Sequence, residues 1–351
     1  MNIDQLRKKV RLWDQMHSGD PVARAKYGLI LDQIEYHARR EWRVYRPAEH
    51  PDFNSNYMER LAAWIGNVPS DDDQKLLLEY ALFISFFSHD DMAALYLAAM
   101  ERIVVRWVAK QAGSTLTVRS LHDFSDQVRK ETMNHTWFCP VTDSMDINEF
   151  CKINHLQGIA HRPQFAALQF EAENPKCPNP HVAANWVQYM ANPTTEAHRS
   201  RPPLKRLVLL EDIVGSSTQC ENAITWAVHS LGVPVLFVPL VLCPNGSDNL
   251  RRLENSFSGK LTVCPVIELQ RGDLLGPERN GANGWRISTA LEALIDRIVP
   301  VIAPSIDPYG YLDTGCSIAT FKNTPDNTIP IVHHKPASGR WAPLFPRVYR
   351  D

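Results

Sequence analysis

Residues 207–218 read Leu207, Val208, Leu209, Leu210, Glu211, Asp212, Ile213, Val214, Gly215, Ser216, Ser217, Thr218. Four consecutive apolar residues fit a strand buried on both faces. The two acids follow at its carboxyl end, where open α/β sheets hold their ligands. The short glycine and hydroxyl run then opens a helix, so its backbone amides and the positive end of the helix dipole make a seat for a phosphate. Glu211 and Asp212 can accept hydrogen bonds from two adjacent ribose hydroxyls while Val214, Gly215, Ser216, Ser217 and Thr218 hold a 5′-phosphate, a spacing that matches one ribose phosphate. A plainer reading of the same residues is a helix N-cap region without a ligand.

The elements that would position this segment follow from the apolar spacing. Up to residue 112 apolar residues recur three and four apart, as in Leu6, Val10 and Trp13, Ile30 and Ile34, Leu76, Leu77 and Tyr80, which is helical packing. Ser70 before Asp71, Asp72 and Asp73, and Ser88 before Asp90 and Asp91, place an N-cap and acids at the start of a helix. Helices are therefore expected to begin near residues 71 and 89. The second, 91–111, is apolar on more than one face (Met92, Leu95, Tyr96, Met100, Val104, Trp107) and is expected to form a buried spine joining two halves.

Beyond residue 113 the pattern becomes a strand at 136–141, a loop with Thr142, Asp143 and Ser144, and a helix from Ile147. A stretch rich in Pro, Asn and His, 174–203, is expected to be a surface loop with one helix near 182–190. Strands at 207–210, 233–242 and 261–267 then alternate with a helix at 218–231, which implies parallel pairing and right-handed crossovers. The expected fold is α/β, a mainly parallel sheet flanked by helices with an N-terminal helical extension. Its expected parts are a helical region at 1–112, an α/β domain at 113–270, and a C-terminal extension at 271–351 packing on the α/β domain.

Composition narrows the function classes. A chain of 351 residues suits two domains. Thirty-seven Lys and Arg against 39 Asp and Glu give a net charge of −2 with the positive residues scattered, so contact with nucleic acid is expected only through a partner. Seven cysteines, an odd number with no CxxC pair, read as reduced and point to a cytoplasmic location. Residues 1–10 lack the apolar core of a signal peptide, and the longest apolar runs, 80–87 and 233–243, are too short to span a bilayer.

The remaining candidates read more simply as structure. Lys205 and Arg206 could neutralise a phosphate, but a basic pair at a strand entrance is more often a solvated edge. His333 and His334 would face opposite ways on a strand, so no protein-ligated metal site is assigned. Cys139 and Cys151 lack an activating His/Asn pattern. Trp341 and Phe345 read as residues that seal a core.

On the residues above, the sequence resembles the phosphoribosyltransferase superfamily, whose diphosphate-sugar motif is a hydrophobic strand, two acids and a Thr/Ser/Gly-rich loop. Glu211 and Asp212 match the acids, and Gly215, Ser216, Ser217 and Thr218 match the loop. A glycine usual near Ser217 is absent, and Gln219 stands where several families keep a threonine. The tail from Gly310 to Phe321, then Asn323 to Pro330, and Trp341 to Arg347, is similar to the carboxyl extension of a phosphoribosyltransferase-like family of bacterial conflict systems, including some retron and other anti-phage operons. Gly215, Ser216 and Gln219 keep that family's Gly-Ser/Thr-x-x-Gln arrangement.

The resemblance covers residues 85–351 and implies a type I phosphoribosyltransferase-like fold with a phosphoribosyl or nucleotide ligand. It implies Mg²⁺ bound with a diphosphate substrate, and it puts Asp143 and Ser144 in the loop that holds pyrophosphate. It also implies an antiviral defence effector with an operon-encoded protein partner. Such an effector would act at ribose C1 by phosphoribosyl transfer or by cleaving a nucleotide's N-glycosidic bond, with Glu211 and Asp212 in the catalytic place. The alternative is a non-catalytic nucleotide sensor or scaffold that holds a partner. Residues 309–321 are expected to add a strand at the sheet edge and to cap the ligand site.

Overall fold

The computed structural model describes residues 1–16, 25–47, 54–113, 120–156, 164–174 and 204–348, so the helix expected near 182–190 lies outside the described residues. The first part of the chain forms α1 (Ile3–Met16), α2 (Lys26–Arg40), α3 (Tyr57–Ile65), α4 (Asp71–Tyr80) and β1 (Ser85–Phe87). Next come α5 (His89–Ala98), α6 (Val105–Ala112), α7 (Leu121–His135), β2 (Thr136–Pro140), α8 (Ile147–Ile153) and α9 (Phe165–Glu173). Then follow β3 (Arg206–Val214), α10 (Thr218–Leu231), β4 (Val235–Leu242), α11 (Pro244–Ser256), β5 (Leu261–Val263) and β6 (Ile267–Glu268). The last elements are α12 (Ser288–Ile302), β7 (Ile318–Thr320) and α13 (Pro330–His333). The helix starts read from Ser70 and Ser88 are where expected: Ser70 Oγ accepts from Asp73 N–H, and Ser88 Oγ accepts from Asp91 N–H while the Asp91 carboxylate accepts from Ser88 N–H at 2.9 Å. No described helix is long and apolar enough to cross a membrane.

The chain divides into two compact units, one of residues 1–92 and 270–351 and one of residues 93–269. The division falls within α5, earlier than the expected boundary after residue 112. The helix expected at 91–111 is interrupted by a π-helical segment, Ala99–Val104, before α6 resumes.

In the first unit the C-terminal extension shares one core with the N-terminal helices. Leu6, Trp13, Ile34, Leu61 and Trp64 from the front of the chain are buried with Leu291, Ile295, Val332, Trp341 and Phe345 from its end. Trp64 Nε1 and Trp341 Nε1 both donate to the carbonyl of Ile331, at 2.7 and 2.9 Å, so Trp341 and Phe345 do seal a core. The strand expected in the tail exists as β7. It pairs in parallel with β1, Ser85 opposite Ile318, in a separate two-stranded sheet and not at the edge of the larger one. The physical reason is that buried residues of α1 to α4 and of α12 and the tail form one cluster, so each set removes apolar surface of the other from water.

The second unit is built on a parallel sheet in the order β2-β3-β4-β5, with β6 also pairing β4. All eight residues of β4 and the first six of β3 are buried, as expected of parallel strands covered on both faces. On one face Leu207, Leu209, Val235 and Phe237 pack with Ala223, Ile224, Ala227 and Val228 of α10 and Phe165 and Leu168 of α9. The single strand expected at 261–267 is split into β5 and β6. Pro239, in the middle of β4, faces the break: its carbonyl accepts from Val266 N–H at 3.0 Å, but its ring nitrogen has no hydrogen to return.

Candidate functional site

β3 runs past its expected end and carries Glu211 and Asp212 inside its carboxyl-terminal half. β2 is shorter, Pro140 pairing with Leu210, so the loop after β2 folds over the first acid. Val141 N–H bonds Leu210 O at 2.9 Å, and Thr142 then meets the Glu211 carboxylate twice, N–H to Oε2 at 2.9 Å and Oγ1 to Oε1 at 2.5 Å. Ser144 Oγ lies 2.7 Å from Glu211 Oε1 and 2.7 Å from Asp212 Oδ1. Asp143, between these two loop residues, is exposed.

Glu211 is 4% exposed and Asp212 half-buried, so the pair is not symmetric. Burial, then the neighbouring charge of Asp212, pushes the Glu211 carboxyl up to about 8, while the hydrogen bonds from Thr142 and Ser144 work the other way. Cys220, in the first turn of α10, is also buried. Desolvation and then the charges of Glu211, Asp212 and Glu221 push its thiol well up, which argues against a thiolate nucleophile there.

Downstream, Val214 and Gly215 are buried and Thr218 is exposed at the first turn of α10. Ser217, next to the position where the superfamily usually has a glycine, adopts the left-handed conformation at φ 70°, ψ −6°, a geometry glycine takes without penalty and other residues at about 1 kcal/mol. The loop is held from outside by residues the sequence did not single out. Asn249 Nδ2 donates to Ser216 O at 2.7 Å, and Cys243 N–H donates to Val214 O at 2.9 Å. Gly246, in the first turn of α11, approaches so closely that a Cβ there would lie 2.4 Å from Gly215 O. Locally the sequence signals only the helix start, through Pro244 just after an apolar strand.

Lys205 and Arg206 sit at the opposite end of β3 from the acids, where both bind Glu131 of α7, at 3.0 and 2.8 Å. Burial opposes the Glu131 charge, but the bonds from Arg206 and Lys205 outweigh it and hold the carboxyl below its ordinary value. Arg206 is 5% exposed, so Glu131→Ala leaves a buried cation without its carboxylate. The expected result is a loss of about 1–2 kcal/mol in denaturant unfolding with ligand binding unchanged.

Among the described residues no group of three or more His, Cys, Asp or Glu is placed to hold a metal ion. Cys139 and Cys151 are buried, and His333 is buried with Nε2 against Thr328 O.

Comparison with curated proteins and with solved structures yields no match. The family model PRTase-CE matches residues 61–347. Because that span holds the acid-pair strand, the hydroxyl loop and the C-terminal extension together, the chain belongs to the PRTase-CE family of phosphoribosyltransferase-like proteins.

Proposed function

We propose that this protein binds a phosphoribosyl diphosphate or a nucleotide at the carboxyl end of β3 and breaks or transfers the bond at ribose C1. The observation that carries the reading is Ser144, whose hydroxyl meets both acids at 2.7 Å and so ties the loop after β2 to the ribose-binding strand. In this reading the acid pair orients the ribose, Gly215 to Thr218 take the 5′-phosphate at the amino end of α10, and the Asp143–Ser144 loop takes the leaving group. As the leaving group departs, C1 gains oxocarbenium character. The chain's task is then to position the sugar and favour the developing charge, without a covalent nucleophile, in keeping with the raised Cys220 thiol. Mg²⁺, if a diphosphate is the ligand, would supply charge neutralisation for it at this site.

An effector role in bacterial anti-phage defence, with an operon-encoded protein partner, is supported by the resemblance of the tail. A second reading, a non-catalytic nucleotide sensor or scaffold, is favoured by Glu211 engaging the loop with both its oxygens. Calorimetric titration with phosphoribosyl diphosphate and common nucleotides in Mg²⁺, followed by chromatography of the mixture, separates the readings. Binding with turnover supports the enzyme, binding without turnover the sensor, and no binding overturns both.

A further inference from the structure

The phosphate seat proposed at the amino end of α10 is built without a cation of its own. β3 carries Arg206 at its far end, tied to Glu131, and α10 has no Lys or Arg, only His229 in its last turn. Carboxylates crowd the seat instead: Glu211 and Asp212 on β3, and Glu221 in the first turn of α10, where it accepts the Ser217 hydroxyl at 3.2 Å. Backbone amides and the helix dipole supply only partial positive charge. A phosphate monoester, which carries about −1.5 to −2 charge at pH 7, calls for a full positive charge from a neighbouring element.

α11 holds one in place. Asn249 meets the loop with one end of its side-chain amide, Nδ2 donating to Ser216 O at 2.7 Å, and with the other end, Oδ1, it accepts a hydrogen bond from the Arg252 guanidinium. The two bonds fix which way the amide points, because the Ser216 carbonyl can only accept and a guanidinium can only donate. The guanidinium therefore stands one amide group away from the loop backbone. Its neighbour Arg251 spends its charge elsewhere, on Glu268 at 2.8 Å and Asp248 at 4.0 Å. Among the described residues Arg252 pairs with no carboxylate, and it is exposed, which leaves most of the five donors of its planar fork to a ligand.

Resting on the phosphoribosyl reading above, we propose that Arg252 binds the 5′-phosphate of the ligand from α11 and so selects phosphorylated over unphosphorylated ribose. Asn249 is the positioning residue that ties the guanidinium to the loop. The charge then arrives from an element that follows the loop by a whole helix and strand, so neither the loop nor the helix it opens has to carry it.

Calorimetric titration of ribose 5-phosphate, and of ribose, into the full chain at low and at raised NaCl compares wild type, Arg252→Gln and Arg251→Gln. Glutamine at 252 keeps an N–H for Asn249 and removes the charge, while Arg251→Gln removes the same charge one residue away. Ribose 5-phosphate affinity is expected to fall about tenfold or more in Arg252→Gln and to stay within about threefold of wild type in Arg251→Gln. Raised salt should weaken wild type more than Arg252→Gln, and ribose should behave alike with both. Amide hydrogen exchange at residues 215–217 should stay within about threefold of wild type in Arg252→Gln, because Asn249 still holds Ser216 O.

Wild-type affinity and salt dependence in Arg252→Gln overturn the assignment. An equal loss in Arg251→Gln also overturns it, since net charge alone would then be at work. Loop exchange that rises together with the loss, or an equal loss toward ribose, makes Arg252 a support of the loop and overturns its contact with phosphate. If wild type binds neither ribose 5-phosphate nor phosphoribosyl diphosphate, the proposed function fails and the assignment with it. An Arg252→Gln protein that matches a wild type able to bind strikes the assignment alone.

Discussion

Gly246→Ala is expected to lower stability by about 2–3 kcal/mol and to weaken ligand binding about tenfold or more, although residue 246 touches no ligand in the proposed site. The added methyl would sit 2.4 Å from the carbonyl oxygen of Gly215, 3.1 Å from the Leu242 side chain and 3.3 Å from the Gly215 carbonyl carbon. Backbone cannot rotate away as a side chain can, so either the first turn of α11 or the loop after β3 must move. The loop also hangs from α11 through Asn249 and Ser216 O, so a shift of the helix carries it along. Displacing amides that converge on a phosphate by even a fraction of an ångström costs binding as well as fold. Thermal unfolding together with titration of phosphoribosyl diphosphate checks the result. A variant that keeps wild-type affinity would show that the loop does not depend on its seat against α11.

Stability is expected to fall as pH rises from about 5 to about 9, and Glu211→Gln is expected to remove most of that fall. The folded protein holds the Glu211 proton up to about 8, against an ordinary value of 4.5. A group whose folded-state value is raised contributes its full share of stability below its unfolded value and loses it as pH climbs through the folded one. At about 1.4 kcal/mol per unit the effect is on the order of a few kcal/mol. Its cause is first the burial of the carboxyl, then the adjacent Asp212. Other groups titrate in the same interval, so the informative quantity is the difference between the wild-type and Glu211→Gln curves from urea unfolding at several pH values. Parallel curves would show that Glu211 enters the native state already ionised.

The acid pair and its loop were legible in the sequence because they depend on local order: an apolar run, two acids, small hydroxyl residues and a helix follow one another within residues 207–231. The α/β alternation was legible for the same reason. Helix starts at 71 and 89 could be read because capping is settled within three residues, by Ser70 with Asp73 and Ser88 with Asp91. The helix at 218–231 has the bounds its spacing predicts.

What tertiary structure alone decided involves partners far apart in the chain. Residue order did not show that Glu211 turns into a loop 67 to 69 residues earlier, because hydrogen bonds to Thr142 and Ser144 exist only once β2 and β3 lie side by side. Gly246 acquires its role from an approach to Gly215 that only the β3-β4 pairing creates. The tail's strand was foreseen but its mate was not. Ile318 to Thr320 could have bonded any open parallel edge, and β1, more than 230 residues earlier, took it because the buried faces of the terminal segments close one core. Local propensity and pattern choose the elements. Which element receives each exposed edge and apolar face depends on long-range burial, where the free energy lies in surfaces removed from water together.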